Sequence, residues 1–188
     1  MDLISNTPKT YRKAINGPDS KKWVEAIKNE HDSLLKNKTW TLVNRPEDRK
    51  VIGCKWIFRI KLNEKGEVDR YKARLVAKGY EQIYGLDFLE VFAPVLKHVS
   101  LRIILCYAAS SELEIFHLDV ETAYLNGKLD EEIYMEQPEG FDQDKSKVCR
   151  LQKGLYGLKQ AGRVWNLDFD KFLKGYGLTR SHNDPCLY

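Results

Sequence analysis

The stretch VIGCKWIFRIKLNEKGEVDRYKARLVA, residues 51–77, decides the fold of this 188-residue chain. Residues 51–62 have the composition of a strand, residues 63–66 read as a turn that contains Asn and Gly, and residues 68–77 return as a second strand. Two such runs joined by a short loop that contains glycine predict a β-hairpin.

Basic residues alternate with uncharged residues along both predicted strands. Lys72 and Arg74 flank Ala73, so their side chains point to the same face of their strand. The first strand carries basic residues in a similar alternation, namely Lys55, Arg59 and Lys61.

The rest of the sequence predicts further helices and strands. Apolar residues at helical spacing predict an amphipathic helix over 20–37, and a helix over 100–111 is apolar on most sides, which predicts burial. The other expected elements are a strand starting in 39–43, a strand over 115–120, a strand pair at 133–137 and 148–151, a helix over 161–174 and the beginning of a strand at 185–188. This order has hairpins and no regular β-α-β repeat, and it predicts an α+β fold.

Charge is unevenly distributed, although the formal net charge is only +4. Residues 45–78 hold eleven Lys or Arg against five Asp or Glu, whereas residues 112–145 hold two basic residues against eleven acidic ones. A basic arm beside an acidic centre suits a phosphate-rich partner and divalent cations. Solvated surfaces give the same distribution, so charge alone does not identify the partner.

Several classes of protein are excluded by composition. No run of about 18 apolar residues occurs, and residues 1–16 lack the apolar core of a signal peptide, so we expect a cytoplasmic or nuclear protein without a membrane partner. The four cysteines form no Cys-x-x-Cys pair, which argues against a zinc site.

Seven segments carry a family resemblance. They are NKTWTLV at 37–43, GCKWIF at 53–58, YKARLVAKG at 71–79, FAPV at 92–95, LDVETAYLNG at 118–127, YMEQP at 134–138 and LYGLKQA at 155–161. In this order, from about Trp23 to Tyr188, the chain resembles the copia-type (pseudovirus) LTR-retrotransposon reverse transcriptases, which are RNA-directed DNA polymerases of Pol polyproteins.

The resemblance implies an α+β fold made of the fingers and a partial palm of a right-hand polymerase, truncated before the second catalytic motif. The expected parts are an N-terminal flank at 1–16, fingers with the basic hairpin at 17–97, a palm segment with the first catalytic Asp at 98–127, a connection between fingers and palm at 128–158 and a partial palm at 159–188.

The resemblance also implies roles for individual residues. Asp119 matches the first catalytic acid and is expected to bind Mg²⁺ or Mn²⁺, with the main chain of Val120 beside the incoming triphosphate. Tyr124 is expected beneath the nucleotide sugar, where a ring leaves no room for a 2′-hydroxyl. Lys72 and Arg74 suit the β- and γ-phosphates, and which of the two lies closer stays open.

The remaining implied contacts fall into two groups. Tyr156 and Gly157 are expected near the nucleotide, and the expected template contacts are Lys55, Arg59, Lys61, Lys159 and Gln160. The local sequence alone also fits simpler roles, with Asp119 capping a turn, Tyr124 filling the core and each cation lying in solvent.

The sequence departs from the family pattern at two places. It contains no Asp-Asp dipeptide, whereas the family's second catalytic motif, Tyr-x-Asp-Asp, supplies two further acids. Gly162 replaces a usual Pro beside Arg163, which adds backbone freedom. Because one carboxylate does not organise two Mg²⁺ ions against their hydration, we expect that this chain alone does not polymerise DNA.

Three interpretations of function follow. The first is an incomplete reverse transcriptase domain that acts on an RNA template, a DNA primer and deoxynucleoside triphosphates, alongside other segments of the Pol polyprotein. The second is a non-catalytic nucleic-acid-binding remnant that keeps the basic arm and does not depend on Asp119. The third is a decayed fragment that folds poorly around an uncovered strand edge.

Overall fold

A computed structural model describes residues 7–142 and 144–188 as a mixed α and β structure with two small sheets. The helices of this part are α1 Tyr11–Asn16, α2 Ser20–Lys36, α3 His98–Ser110 and α4 Ala161–Gly175. The strands are β1 Trp40–Asn44, β2 Val51–Ile52, β3 Cys54–Leu62, β4 Val68–Ala77, β5 Tyr134–Met135 and β6 Lys147–Leu151. The predicted α+β class is confirmed. Residues 1–6 of the N-terminal flank predicted over 1–16 lie outside the described residues. Helix α1, in the rest of that flank, was not predicted.

The predicted hairpin is confirmed as the antiparallel pair of β3 and β4. Its apolar face is buried and includes Trp56, Phe58 and Leu75. This face packs against α2, where the Trp23 ring meets the Phe58 ring edge to face at 5.2 Å between centroids. The amphipathic helix predicted over 20–37 is therefore confirmed, since the apolar residues Trp23, Ile27 and Leu34 are buried.

The other sheet has the strand order β1-β6-β5-β2. Strand β6 pairs antiparallel with both β1 and β5, which confirms the predicted pair near 133–151, and β5 pairs parallel with β2. The side chains of Ile52, Met135 and Cys149 are fully buried and belong to the same core as the hairpin. Only Gly53 separates β2 from β3, so the chain passes directly from one sheet to the other. Both sheets contribute to one core.

Helix α3 forms close to its predicted range, but the prediction that it is buried is wrong. Ala108 is its one buried residue, and Cys106 is exposed. The apolar side chains that remain exposed are Val99, Leu101, Ile103, Ile104, Leu105 and Tyr107. A helix that is apolar on most sides needs neighbours on most sides, and the described elements leave most of its surface uncovered.

Two predicted strands are absent from the described part of the chain. Residues 115–120 are irregular, with Phe116 80% and Leu118 86% exposed. A strand needs a hydrogen-bonded neighbour, and no described strand pairs with this segment. The predicted strand start at 185–188 is a turn instead, in which the Leu187 N–H donates to the Asp184 carbonyl at 3.1 Å.

The residues that end the described chain stabilise the start of α3. Asp184 is fully buried, and its carboxylate accepts a hydrogen bond from the Lys97 N–H at 2.9 Å. Hydrogen bonds from Ser100, from the Cys186 N–H and from the Lys97 N–H, in that order, lower the pKa of Asp184 from its ordinary value. A carboxylate at this position also complements the helix dipole.

A close approach of two backbones connects the hairpin to the loop before α4. The Ala77 N–H at the end of β4 donates to the Tyr156 carbonyl at 2.8 Å. Gly157 follows with a positive φ of 92°, and a Cβ added there would overlap the Ala77 carbonyl oxygen. A side chain at position 157 would therefore block the approach of the loop to β4.

None of the helices within residues 7–142 and 144–188 is long and apolar enough to cross a lipid bilayer.

Substitution of Gly157 tests this approach. Gly157→Ala combines a strained positive φ with a backbone overlap, so we expect it to lower the free energy of unfolding by about 3 kcal/mol. Gly66→Ala is the matched control, because Gly66 also has a positive φ of 79° but an added Cβ meets nothing within 4 Å. We expect the control to lose only about 1 kcal/mol. Urea unfolding followed by circular dichroism gives both values, and equal losses would contradict the close approach.

Candidate active site

A cavity of about 310 Å³ lies between the charged face of β4, helix α2 and the segment that follows Asp119. Its size is within the range of small-molecule sites. Five residues predicted from the sequence line it together, namely Lys72, Arg74, Asp119, Val120 and Tyr156. These residues are spread over 85 positions of the chain, and the hairpin, α2 and the loop before α4 bring them together.

A second cavity of about 240 Å³ also has Lys72, Arg74 and Tyr156 in its wall. Arg59 and Lys61 line it as well, so these two alternating residues lie on the same face of β3. Lys55 does not line this cavity, but it is exposed and stands opposite Val76, which does.

The charged face of the hairpin places like charges directly opposite one another. Arg59 is the register partner of Lys72, and Lys61 is the register partner of Arg70. Such pairs destabilise an antiparallel sheet. Burial lowers the pKa of Lys72 from its ordinary value, and the nearby charges of Arg74 and Arg70 lower it further. An anion with several negative charges relieves this repulsion, so the face is suited to phosphate groups.

Helix α2 adds a carboxylate that was not predicted. Glu30 is half-buried at the edge of β4, where its Oε1 accepts a hydrogen bond from the Leu75 N–H at 3.3 Å. It lines the first cavity with Lys72 and Arg74. Burial raises the pKa of Glu30, whereas the Leu75 N–H and the two cations act in the opposite direction.

Asp119 lies on an exposed, irregular segment that enters the cavity beside β4. The segment ends at Thr122, which has a left-handed backbone conformation with φ of 51°. That conformation is rare for a β-branched residue and costs about 1–3 kcal/mol, and such strain clusters at functional sites. The 3₁₀ turn Ala123–Asn126 follows and carries Tyr124.

The described residues do not assemble a complete metal site. Asp119, Glu121 and Glu30 all line the first cavity. Within residues 7–142 and 144–188, however, no three His, Cys, Asp or Glu side chains are grouped closely enough to hold a metal ion. Asp119 alone does not supply the carboxylates that a two-ion site needs.

Tyr156 lies at the centre of the site. The Arg74 guanidinium lies 4.4 Å from the centre of the Tyr156 ring. The Tyr124 ring meets Tyr156 edge to face, with 4.7 Å between centroids. Tyr124 itself is absent from the lining of both cavities, whereas its neighbours Ala123 and Leu125 line the first one, and the Tyr124 ring contacts the cavity wall at Tyr156.

The structure separates the two template candidates of the loop before α4. Lys159 is exposed, with its ammonium 5.2 Å from the centre of the Phe88 ring. Gln160 is buried at 1% exposure, and its amide accepts from Gln82 Nε2 at 3.0 Å and donates to the Asp87 carbonyl at 2.8 Å. The predicted template contact of Gln160 is therefore corrected, because its side chain is used inside the protein.

The sequence did not identify Arg70, Glu30 and Glu121, which line the first cavity, or Gln82, which supports the loop before α4. Arg70 lines the first cavity and continues the alternation of Lys72 and Arg74, so the same pattern could have identified it. Glu30 and Gln82 had no such signal, because their partners Leu75 and Gln160 are 45 and 78 positions away.

Comparisons with known proteins give the relatives of this chain. A profile of the family described as "Reverse transcriptase (RNA-dependent DNA polymerase)" matches residues 37–188. The retrovirus-related Pol polyprotein from transposon TNT 1-94 of Nicotiana tabacum is 47% identical over 99% of this chain. The Pol polyproteins from transposons RE2 and RE1 of Arabidopsis thaliana are each 44% identical over 94% of it.

The chain corresponds to a small part of these relatives. It spans 14% of the tobacco polyprotein and 12% of each Arabidopsis polyprotein. No solved structure matches the chain. The profile match and the identities over nearly the whole chain show that it belongs to the reverse transcriptases of copia-type LTR-retrotransposon Pol polyproteins.

Proposed function

We propose that this chain is the part of an RNA-directed DNA polymerase that receives the incoming deoxynucleoside triphosphate. In this proposal residues 17–97 belong to the fingers, 98–127 and 159–188 to the palm, and 128–158 to the connection between them. One observation carries the proposal. Two half-buried cations of β4, Lys72 and Arg74, line one cavity with Asp119 and Tyr156.

The cations bind the phosphates. Burial lowers the pKa of Lys72, and the neighbouring charge of Arg74 lowers it further, so the two cations repel each other in the absence of a ligand. A triphosphate placed between them forms charge-assisted hydrogen bonds and removes that repulsion. Their positions are fixed before binding, because the opposite face of the hairpin is packed against α2, and such preorganisation favours electrostatic stabilisation of a reacting phosphate.

Reverse transcriptases generally use divalent metal ions, which act as Lewis acids at the reacting phosphate when they are bound. Asp119 and the main chain of Val120 supply ligands for Mg²⁺ in this proposal. The other carboxylates come from another part of the polymerase, because the described residues offer no group of three. In this proposal the substrate and the template, an RNA paired with a DNA primer, are those implied by membership of the family.

The template contacts the outer face of the hairpin. Lys55, Arg59 and Lys61 are all exposed on β3, on the face opposite the core. Arg59 and Lys61 line the cavity that adjoins the phosphate-binding cations, so a template strand held there lies beside the incoming nucleotide. Lys159, which is exposed in the loop before α4, is a further template contact in this proposal.

Primer extension tests the catalytic part of the proposal. Three proteins are compared on an RNA template with Mg²⁺. They are this chain, a longer chain that continues with the residues following the aligned segment in the tobacco relative, and the longer chain with Asp119→Asn. We expect incorporation by the longer chain alone, and a loss of at least about a thousand-fold with Asp119→Asn, since a metal ligand is removed.

Either of two results would contradict this proposal. Extension by the longer chain that survives Asp119→Asn would show that Asp119 is not a metal ligand. Binding of nucleic acid by every version without any incorporation would favour the non-catalytic interpretation instead.

The salt dependence of RNA binding tests the role of the hairpin. For single-stranded RNA, each phosphate contact contributes about 0.7 to the slope of log K against log salt concentration. We therefore expect Arg59→Gln to reduce the slope by about 0.7. Lys171→Gln, at an exposed position of α4, is the control and should leave the slope unchanged. Fluorescence anisotropy of a labelled oligonucleotide measures both, and equal slopes for Arg59→Gln and the unchanged chain would refute the template face.

A further inference from the structure

The Tyr156 ring makes contacts on two sides. Arg74 of the phosphate-binding pair lies over the ring, with its guanidinium carbon 4.4 Å from the ring centre. The Tyr124 ring meets the Tyr156 ring at 68° between planes, with 4.7 Å between centroids. A cation over an aromatic face and an edge-to-face pair of rings are both attractive and both directional.

The backbone of Tyr156 is held firmly. Its carbonyl accepts the Ala77 N–H at the end of β4, and Gly157 fits against the same strand only because it has no side chain. Two residues further on, the Lys159 N–H donates to Gln82 Oε1 at 2.9 Å. The Gln82 side chain is also hydrogen-bonded to buried Gln160. The position of the ring is therefore set by its two partners on a fixed backbone.

Tyr124 is connected to the wall of the first cavity through Tyr156. Arg74 and Tyr156 line that cavity, as do Ala123 and Leu125 on either side of Tyr124, and the Tyr124 ring meets the Tyr156 ring edge to face. Because the two rings are in contact, a change in the tilt of the Tyr156 ring shifts the Tyr124 ring as well.

We propose that Tyr156 is a positioning residue that couples the phosphate-binding Arg74 to the sugar-selecting Tyr124. The coupling rests on the proposed function, because it requires that the cavity binds a nucleoside triphosphate. Phosphates that hold Arg74 hold the Tyr156 ring, and the ring holds Tyr124 where a 2′-hydroxyl would collide with it. Exclusion of ribonucleotides then depends on a residue that does not touch the sugar.

The test compares two cations that line the same cavity. Lys72→Gln and Arg74→Gln each remove one charge from the phosphate site, but only Arg74 lies over Tyr156. Affinities for dATP and ATP are measured by isothermal titration calorimetry with the 188-residue chain and excess Mg²⁺. We expect Lys72→Gln to weaken both nucleotides equally, so that the ratio of the two affinities is unchanged. We expect Arg74→Gln to weaken dATP more than ATP and to lower the ratio about two- to five-fold, which is the value of one cation–π contact.

Substitutions of Tyr156 give a second, independent test of the coupling. Tyr156→Phe keeps both ring contacts and should keep the affinity ratio of the unchanged chain, whereas Tyr156→Leu should bring it close to that of Tyr124→Ala. Circular dichroism confirms that each variant is folded, and Arg74→Gln keeps the test decisive if Tyr156→Leu does not fold.

The outcomes separate the coupling from the proposed function. If the unchanged chain prefers dATP, and Arg74→Gln lowers both affinities without changing their ratio, the coupling is wrong and the nucleotide site stands. If the unchanged chain binds neither nucleotide, or binds both equally, the proposed sugar selection fails and the coupling fails with it.

Discussion

The hydrogen bond between the Ala77 N–H and the Tyr156 carbonyl, at 2.8 Å, joins two parts of the chain that are far apart in sequence. It is possible because Gly157 places no side chain against the strand. Through this contact the end of β4 and the loop before α4 form one unit, so Arg74 and Tyr156 stand side by side. The cavity that contains Asp119 is completed by the same unit.

The hairpin illustrates how stability and function are divided between two faces of one sheet. The apolar face contributes Trp56, Phe58 and Leu75 to the core, where each large side chain stabilises the fold by about 1.5–3 kcal/mol. The other face places Arg59 opposite Lys72 and Lys61 opposite Arg70, which destabilises the sheet. These like-charge pairs are unfavourable for folding but favourable for binding phosphate, so we attribute them to the function of this face.

Sequence reasoning succeeded where structure depends on nearby residues. The hairpin and helix α2 were predicted because alternation and helical spacing are local patterns. Residues 115–120 and helix α3 were mispredicted because their pairing and burial depend on neighbours that the described residues do not provide. The site was predicted in part, since Lys72, Arg74 and Asp119 were identified from motifs. Glu30 and the internal role of Gln160 depend on partners 45 and 78 positions away, which a single sequence does not reveal.

The central claim is that the charged face of β4 holds the terminal phosphates of a deoxynucleoside triphosphate next to Asp119. Photolabelling tests it most directly, with dATP that carries an azidoanilide on its γ-phosphate and peptide mapping by mass spectrometry. Our account predicts that the label falls on the peptide that contains Lys72 and Arg74, and that unlabelled dATP prevents it. Label on the loop 84–95 or on α4, or label that dATP does not displace, would contradict the claim.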